Sequence, residues 1–84
     1  MEICEKIREL IEKEVNEIGY EIDKITYAKE DGNMILRISI DKEGLIDIDD
    51  CIKVTKLINP IIDEKDPIEE YYIMDVCSVE KGSN

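Results

Sequence analysis

The stretch from residue 24 to residue 40, KITYAKEDGNMILRISI, decides the fold because its apolar side chains alternate on both sides of a turn. Ile25 and Tyr27 alternate with polar neighbours before that turn. Asp31-Gly32-Asn33 supplies residues that tolerate a positive φ angle. The second alternating run contains Met34, Leu36, Ile38 and Ile40. Two alternating runs around such a turn predict a β-hairpin.

The residues before the hairpin repeat with a helical period. One apolar stripe predicts an amphipathic helix over residues 3–18, with charged residues on its other faces. Gly19 follows the stripe and ends the helix, since glycine adopts positive φ without steric cost. The stripe consists of Ile3, Ile7, Leu10, Ile11, Val15 and Ile18.

A second helix is predicted after the hairpin. Asp47 is placed to accept hydrogen bonds from the free N–H groups of its first turn, and Asp49 and Asp50 favour the positive end of the helix dipole. Pro60 removes one backbone donor, so we expect a kink or a break near residues 57–58. The apolar stripe of this helix contains Cys51, Val54, Leu57, Ile58, Ile61 and Ile62.

Alternation returns at residues 71–79, which predicts a third strand, and the resulting order is helix, strand, strand, helix, strand. Two amphipathic helices need one surface to cover, so we expect an α+β, two-layer αββαβ sandwich with both helices on one face of a three-stranded sheet. The crossover through the second helix makes the third strand parallel to the second. The sequence does not decide whether the third strand lies beside the first or the second strand. The sheet face that the helices do not cover is left to solvent or to a partner.

The composition indicates one small acidic domain. We expect residues 1–79 to form it and residues 80–84 to be a frayed polar tail. The chain has 84 residues and a net charge of −11. Phosphate repulsion therefore argues against direct binding of nucleic acid or an anionic membrane by this domain alone, and no apolar run is long enough to span a bilayer. A positively charged partner fits better.

Catalytic chemistry is not predicted. The sequence contains no histidine, the usual acid–base group at neutral pH, and no phosphate-binding glycine loop, so we expect no catalytic residues and no cofactor. Cys4, Cys51 and Cys77 are odd in number and widely spaced, which indicates reduced, buried thiols in a cytoplasmic protein rather than a disulfide framework.

Two further groups of side chains have structural interpretations. An acidic cluster does not follow the order of a calcium-binding loop, so it is interpreted as capping residues rather than a metal site. The cluster comprises Asp41, Glu43, Asp47, Asp49 and Asp50. The four tyrosines are assigned to sheet packing rather than to base stacking, because the basic residues form no stripe beside them. They are Tyr20, Tyr27, Tyr71 and Tyr72.

Several short pieces, in order over residues 19–78, resemble the N-terminal domain of the bacterial ribosome maturation factor RimP family. Gly19-Tyr20-Glu21-Ile22 with Asp23 and Tyr27 resembles the family's G-Y-E-L-x-D-V-E-Y strand. Leu36-Arg37-Ile38 and Ile40-Asp41-Lys42-Glu43-Gly44 resemble L-R-V-x-I-D-K-E-G. Two later pieces are Ile48-Asp49-Asp50-Cys51 with Val54, similar to L-D-D-C-x-x-V, and Asp66-Pro67-Ile68 with Tyr72-x-Met74-Asp75-Val76, similar to D-P-I and Y-x-L-E-V.

The resemblance implies a KH-like, alpha-lytic protease prodomain-like αββαβ domain of a cytoplasmic, non-enzymatic assembly factor. It implies binding to the small ribosomal subunit during maturation, with the basic ribosomal protein twelve of that subunit as a neighbour. Charge complementarity with a basic protein would speed that encounter. The residues expected to bind the partner are the exposed family-like ones, namely Arg37, Asp41, Lys42, Asp49 and Asp50, although turn and cap chemistry also accounts for Asp49 and Asp50.

One departure keeps an alternative open. The family's third strand continues S-S-P-G-L-D-R-P, whereas this chain reads Cys77-Ser78-Val79-Glu80-Lys81-Gly82, and we expect no C-terminal Sm-like barrel in it. The alternative is a stand-alone acidic interaction domain without a ribosomal role. Such a domain would associate weakly with itself through a sheet edge or through its open sheet face.

Overall fold

The computed structural model describes residues 2–79, and its elements follow the predicted order. They are α1 (Ile3–Glu17), β1 (Glu21–Glu30), β2 (Asn33–Asp41), α2 (Ile48–Lys65) and β3 (Ile73–Ser78). The α+β class is thereby confirmed, with two helices and one mixed sheet. The tail expected at residues 80–84 lies outside the described residues.

Helix α1 ends just before Gly19, as predicted from the sequence. Gly19 has φ +94°, and its N–H donates to the Asn16 carbonyl at 3.0 Å, while the Tyr20 N–H donates to the Val15 carbonyl at 3.1 Å. These two bonds form a Schellman motif, which satisfies carbonyls that the helix leaves without partners. Tyr20 is buried beside the core residue Val15, so the motif also directs the chain into β1.

The β1–β2 hairpin is antiparallel, as predicted. Asp31 (φ +51°) and Gly32 (φ +84°) both occupy the left-handed region, which is the backbone of a type I′ turn. The register shifts between Ile22 and Lys24, so one extra residue forms a bulge there. Because of this bulge, Ile22 and Ile25 are both buried although they are three residues apart.

Strand β3 lies beside β2 and parallel to it, so the sheet order is β1-β2-β3. This confirms the predicted direction of β3 and answers the question of its neighbour. The central position of β2 accounts for its sequence. Leu36, Ile38 and Ile40 are all fully buried, whereas no residue of β3 is.

One hydrophobic core joins both helices to the sheet. It is built on alternate residues of β2 and on one stripe from each helix. On β3, Met74 and Val76 pack against this core, as the predicted alternation requires. The helical members of the core are Ile7, Ile11 and Val15 from α1 and Val54, Ile58 and Ile62 from α2.

The other residues of β2 lie on the opposite face of the sheet, and that face has a charged centre. Arg37 Nε donates to Asp75 Oδ2 on β3 at 2.9 Å. Its two terminal nitrogens donate to the Glu30 carboxylate on β1 at 2.7 and 3.1 Å. These three charged side chains form an ion triad across the sheet. They occupy the open face, through which an apolar self-association was one of the expectations.

Helix α2 runs unbroken through Pro60, so of the kink or break expected near residues 57–58 the break does not occur. The proline removes one backbone hydrogen bond. However, Ile58 and Ile62, on either side of it, are buried in the same core, and their packing holds both parts of the helix in place. The helix ends at Asp66, whose φ is +47°.

Two further expectations need correction. The three cysteines are unpaired, as predicted, but they are half-buried rather than buried. Tyr71, which was assigned to sheet packing, precedes β3 and is 77% exposed, because the strand begins only at Ile73.

Among residues 2–79, no helix combines the length and the apolar character that a membrane span requires.

Replacing Gly19 with alanine tests the Schellman motif. A Cβ at this position would meet no atom within 4 Å, so only the left-handed backbone would be strained. We expect Gly19→Ala to lower the free energy of unfolding by about 1–2 kcal/mol. The measurement is urea unfolding followed by circular dichroism, and the control is Glu17→Ala on the last helical residue. Equal midpoints for the two variants would contradict the assignment.

Candidate partner-binding site at the start of helix α2

A capping box begins helix α2. The Asp50 N–H donates to Asp47 Oδ1 at 3.1 Å, and the Asp47 N–H donates to Asp50 Oδ2 at 2.9 Å. Each carboxylate therefore satisfies a backbone donor of the other residue. The predicted cap at Asp47 is confirmed, and Asp50 contributes to the same cap.

Asp50 also reaches far beyond its own helix. Its Oδ1 accepts hydrogen bonds from the Tyr20 hydroxyl and, at 3.0 Å, from Lys42 Nζ. The Asp50 side chain is only 13% exposed, so these donors replace water around a shielded charge. We call Tyr20, Lys42, Asp47 and Asp50 the aspartate network, which joins the end of α1, the exit of β2 and the start of α2.

Two lysines frame the Tyr20 ring. Lys42 Nζ lies 5.8 Å and Lys53 Nζ lies 5.9 Å from the ring centroid, within cation–π range. The ring itself is buried in the core, while its hydroxyl meets Asp50. Tyr20 therefore connects the hydrophobic core to the polar surface at the start of α2.

The network shifts the titration of its members in opposite directions. The Tyr20 hydrogen bond, then the Asp47 N–H and Lys42, hold the pKa of the Asp50 carboxyl well below its usual range. In return, the bond to Asp50, together with burial, raises the pKa of Tyr20 to about 12. Asp50 is therefore charged and Tyr20 protonated throughout the neutral pH range.

Asp41 and Asp49 border the network. The Asp41 carboxylate accepts a hydrogen bond from the Lys42 N–H at 2.7 Å, which fixes the chain as it leaves β2. Asp49 is exposed in the first turn of α2, and its side chain makes no hydrogen bond or salt bridge with another residue in the range 2–79. Asp49 is thus an acceptor that points into solvent.

The structure brings four of the five predicted site residues together and separates the fifth. Asp41, Lys42, Asp49 and Asp50 surround the loop between β2 and α2. Arg37 lies on the open sheet face, where it pairs with both Glu30 and Asp75, so the three side chains together carry a net negative charge. Hydrogen bonds to Glu30 and then to Asp75 raise the pKa of Arg37 further above its ordinary value.

Sequence reasoning missed the role of Tyr20. It was assigned to packing, and its ring does pack, but its hydroxyl finds an acceptor 30 residues away. Only one signal was available, namely that an aromatic residue directly after Gly19 suits the hydrophobic position of a Schellman motif. The spacing of Asp47 and Asp50 also matches a capping box, with aspartate in place of glutamate.

The acidic cluster near α2 was interpreted as capping residues rather than as ligands. Asp47 and Asp50 are indeed engaged with backbone donors. In the described part of the chain, no three acidic or cysteine side chains are arranged to hold a metal ion together.

A comparison with known protein families gives one finding. Residues 10–79 match the family model described as the RimP N-terminal domain. The match covers most of the chain and includes Tyr20, the loop after β2 and the first turns of α2.

Replacing Tyr20 with phenylalanine tests the network. We expect Tyr20→Phe to unfold at a lower urea concentration than the wild type at neutral pH, because Asp50 loses a donor. A raised folded pKa contributes stability that is complete below the unfolded pKa, near 10, and is lost as pH rises toward about 12. The wild-type advantage should therefore be constant up to about pH 10 and shrink above it.

The measurement is urea unfolding of both proteins at a series of pH values. Tyr71→Phe is the matched control, since it removes a hydroxyl from an exposed tyrosine and should leave the midpoint unchanged. An advantage that persists unchanged at high pH would show that the Tyr20 hydroxyl does not carry it.

Proposed function

The chain belongs to the RimP N-terminal domain family, which is a family of ribosome maturation factors, and we propose that it binds the small ribosomal subunit during assembly. The proposed contact is a basic ribosomal protein, with protein twelve of that subunit as the candidate. The role is that of a non-enzymatic binding module, and the place of action is the cytoplasm.

The observation that carries the choice of partner is the exposed carboxylate of Asp49 in an acidic surface. Glu43 and Asp47, which precede it in the chain, are exposed as well, and the whole chain has a net charge of −11. Such a surface attracts Lys and Arg side chains and repels RNA phosphates. A basic protein of the subunit is therefore a better partner than its rRNA.

We assign different roles to the predicted site residues. Asp49 contacts the partner directly, because its side chain is exposed and engages no other described residue. Asp41, Lys42 and Asp50 fix the loop that presents Asp49, because they are hydrogen-bonded within it. Arg37 holds the strands of the open sheet face together through its bonds to Glu30 and Asp75, and we assign it no direct contact with the partner.

Co-sedimentation of the purified chain with free small subunits and with whole ribosomes tests the proposal. We expect binding to free subunits, weakening as salt shortens the Debye length from about 30 Å at 0.01 M to about 8 Å at 0.15 M. Binding to neither particle at low salt would contradict the proposal. Binding that strengthens with added sulfate would favour an apolar contact instead.

A charge reversal at Asp49 tests the contact residue. We expect Asp49→Lys to weaken subunit binding about tenfold, mainly through slower association, because it removes attraction and adds repulsion. Asp63→Lys is the matched control, since it changes the net charge equally and lies on the same helix. The two positions are 14 residues, or about 21 Å, apart along the helix axis.

The control should bind within about twofold of the wild type. If both reversals weaken binding equally, overall charge is responsible and Asp49 is not a contact residue. Asp50 is unsuitable for such a test, because its carboxylate caps α2 and a loss of binding would report a disturbed fold.

A further inference from the structure

Three large apolar side chains are exposed at the start of α2. Leu45 is 86% exposed, Ile48 is 74% exposed and Ile52 is 46% exposed. Ile48 and Ile52 are four residues apart on one helix, so their side chains lie one above the other. Leu45 precedes Ile48 by three residues. We call these three residues the apolar patch.

The fold does not require the apolar patch. The residues of α2 that enter the core are Val54, Ile58 and Ile62, which form a different stripe of the helix. An exposed β-branched isoleucine is a weaker helix former than Glu or Lys, and here burial does not compensate for it. The exposed positions of α1, by contrast, hold charged residues such as Glu5 and Glu9.

Carboxylates precede the apolar patch and alternate with its residues along the chain. Glu43, Asp47 and Asp49 are all exposed, and Asp49 directly follows Ile48. Lys53 and Lys56 lie further along the helix, where Lys53 Nζ faces the Tyr20 ring. The amino-terminal part of the surface therefore combines apolar contact area with negative charge.

This combination decides between two occupants. A second copy of the chain would bring another net charge of −11 to an already acidic surface, which opposes close approach. A basic segment of a different protein meets complementary charge at the same place. Its apolar side chains could cover the isoleucines while its Lys or Arg residues pair with the carboxylates.

We infer that the apolar patch is the docking surface for a basic, apolar-anchored segment of a protein partner. The inference rests on the proposed function and adds the surface and the chemical character of the segment. Apolar anchors carry most of the affinity, and the flanking carboxylates orient the segment and speed its association.

The test compares two double variants with the wild type in co-sedimentation with purified free small subunits. Ile48→Gln with Ile52→Gln removes the patch, and Tyr71→Gln with Ile73→Gln is the matched control. The exposures of the two pairs are similar, at 74% and 46% against 77% and 39%. Glutamine keeps the charge unchanged, and urea unfolding checks that both variants fold.

We expect the patch variant to bind subunits about tenfold more weakly than the control, which should resemble the wild type. Equal binding by both variants would overturn the inference and leave the proposed function intact. Binding by none of the three proteins would remove the proposed function and the inference that rests on it.

A photo-cross-linking residue at position 45 identifies the occupant. With purified small subunits, a cross-link to a basic ribosomal protein supports the inference. A cross-link to rRNA, or to a second copy of the chain, would overturn it, because either product shows a different occupant. The same substitution at position 73 is the control for nonspecific capture.

Discussion

The hydrogen bond between Tyr20 and Asp50 is the interaction on which the functional end of this domain depends. The tyrosine ring is anchored in the core, and its hydroxyl holds a carboxylate that also caps α2. Lys42 binds the same carboxylate from the end of β2. A single shielded charge therefore fixes three chain segments relative to one another.

The same interaction explains why exposed residues nearby have fixed positions. Loops and helix ends fray when few contacts hold them. Here the first turn of α2 is capped and fastened to the core, so Asp49 and the apolar patch are presented on a rigid support. A preorganised surface loses less conformational freedom on binding, which favours affinity for a partner.

Much of the fold could be predicted because its signals are local. The hairpin turn at Asp31 and Gly32 and the helix end at Gly19 each depend on the chemistry of a few neighbouring residues. The helices followed from their apolar stripes in the same way. No break occurs near residues 57–58, because burial on both sides of Pro60 outweighs one missing hydrogen bond.

The remaining features depend on residues far apart in the chain. The Tyr20–Asp50 bond spans 30 residues and the Arg37–Asp75 pair spans 38, so neither follows from periodicity. The neighbour of β3 depends on packing that the sequence pattern does not encode. At the candidate site, the acidic character and the cap at Asp47 were predictable. The separation of Arg37 from the other four residues could not be predicted from the sequence.

The parallel pairing of β2 with β3 has a consequence for the order in which the chain folds. The hairpin and α1 can form as soon as they are synthesised, because their contacts are local. The other edge of β2 must wait until α2 and residues 73–78 have followed, since β3 supplies its partner. During that interval the most apolar strand of the protein has an unpaired edge. Residues 1–41 already contain eleven acidic residues against six basic ones, and this excess of negative charge opposes contact between such edges.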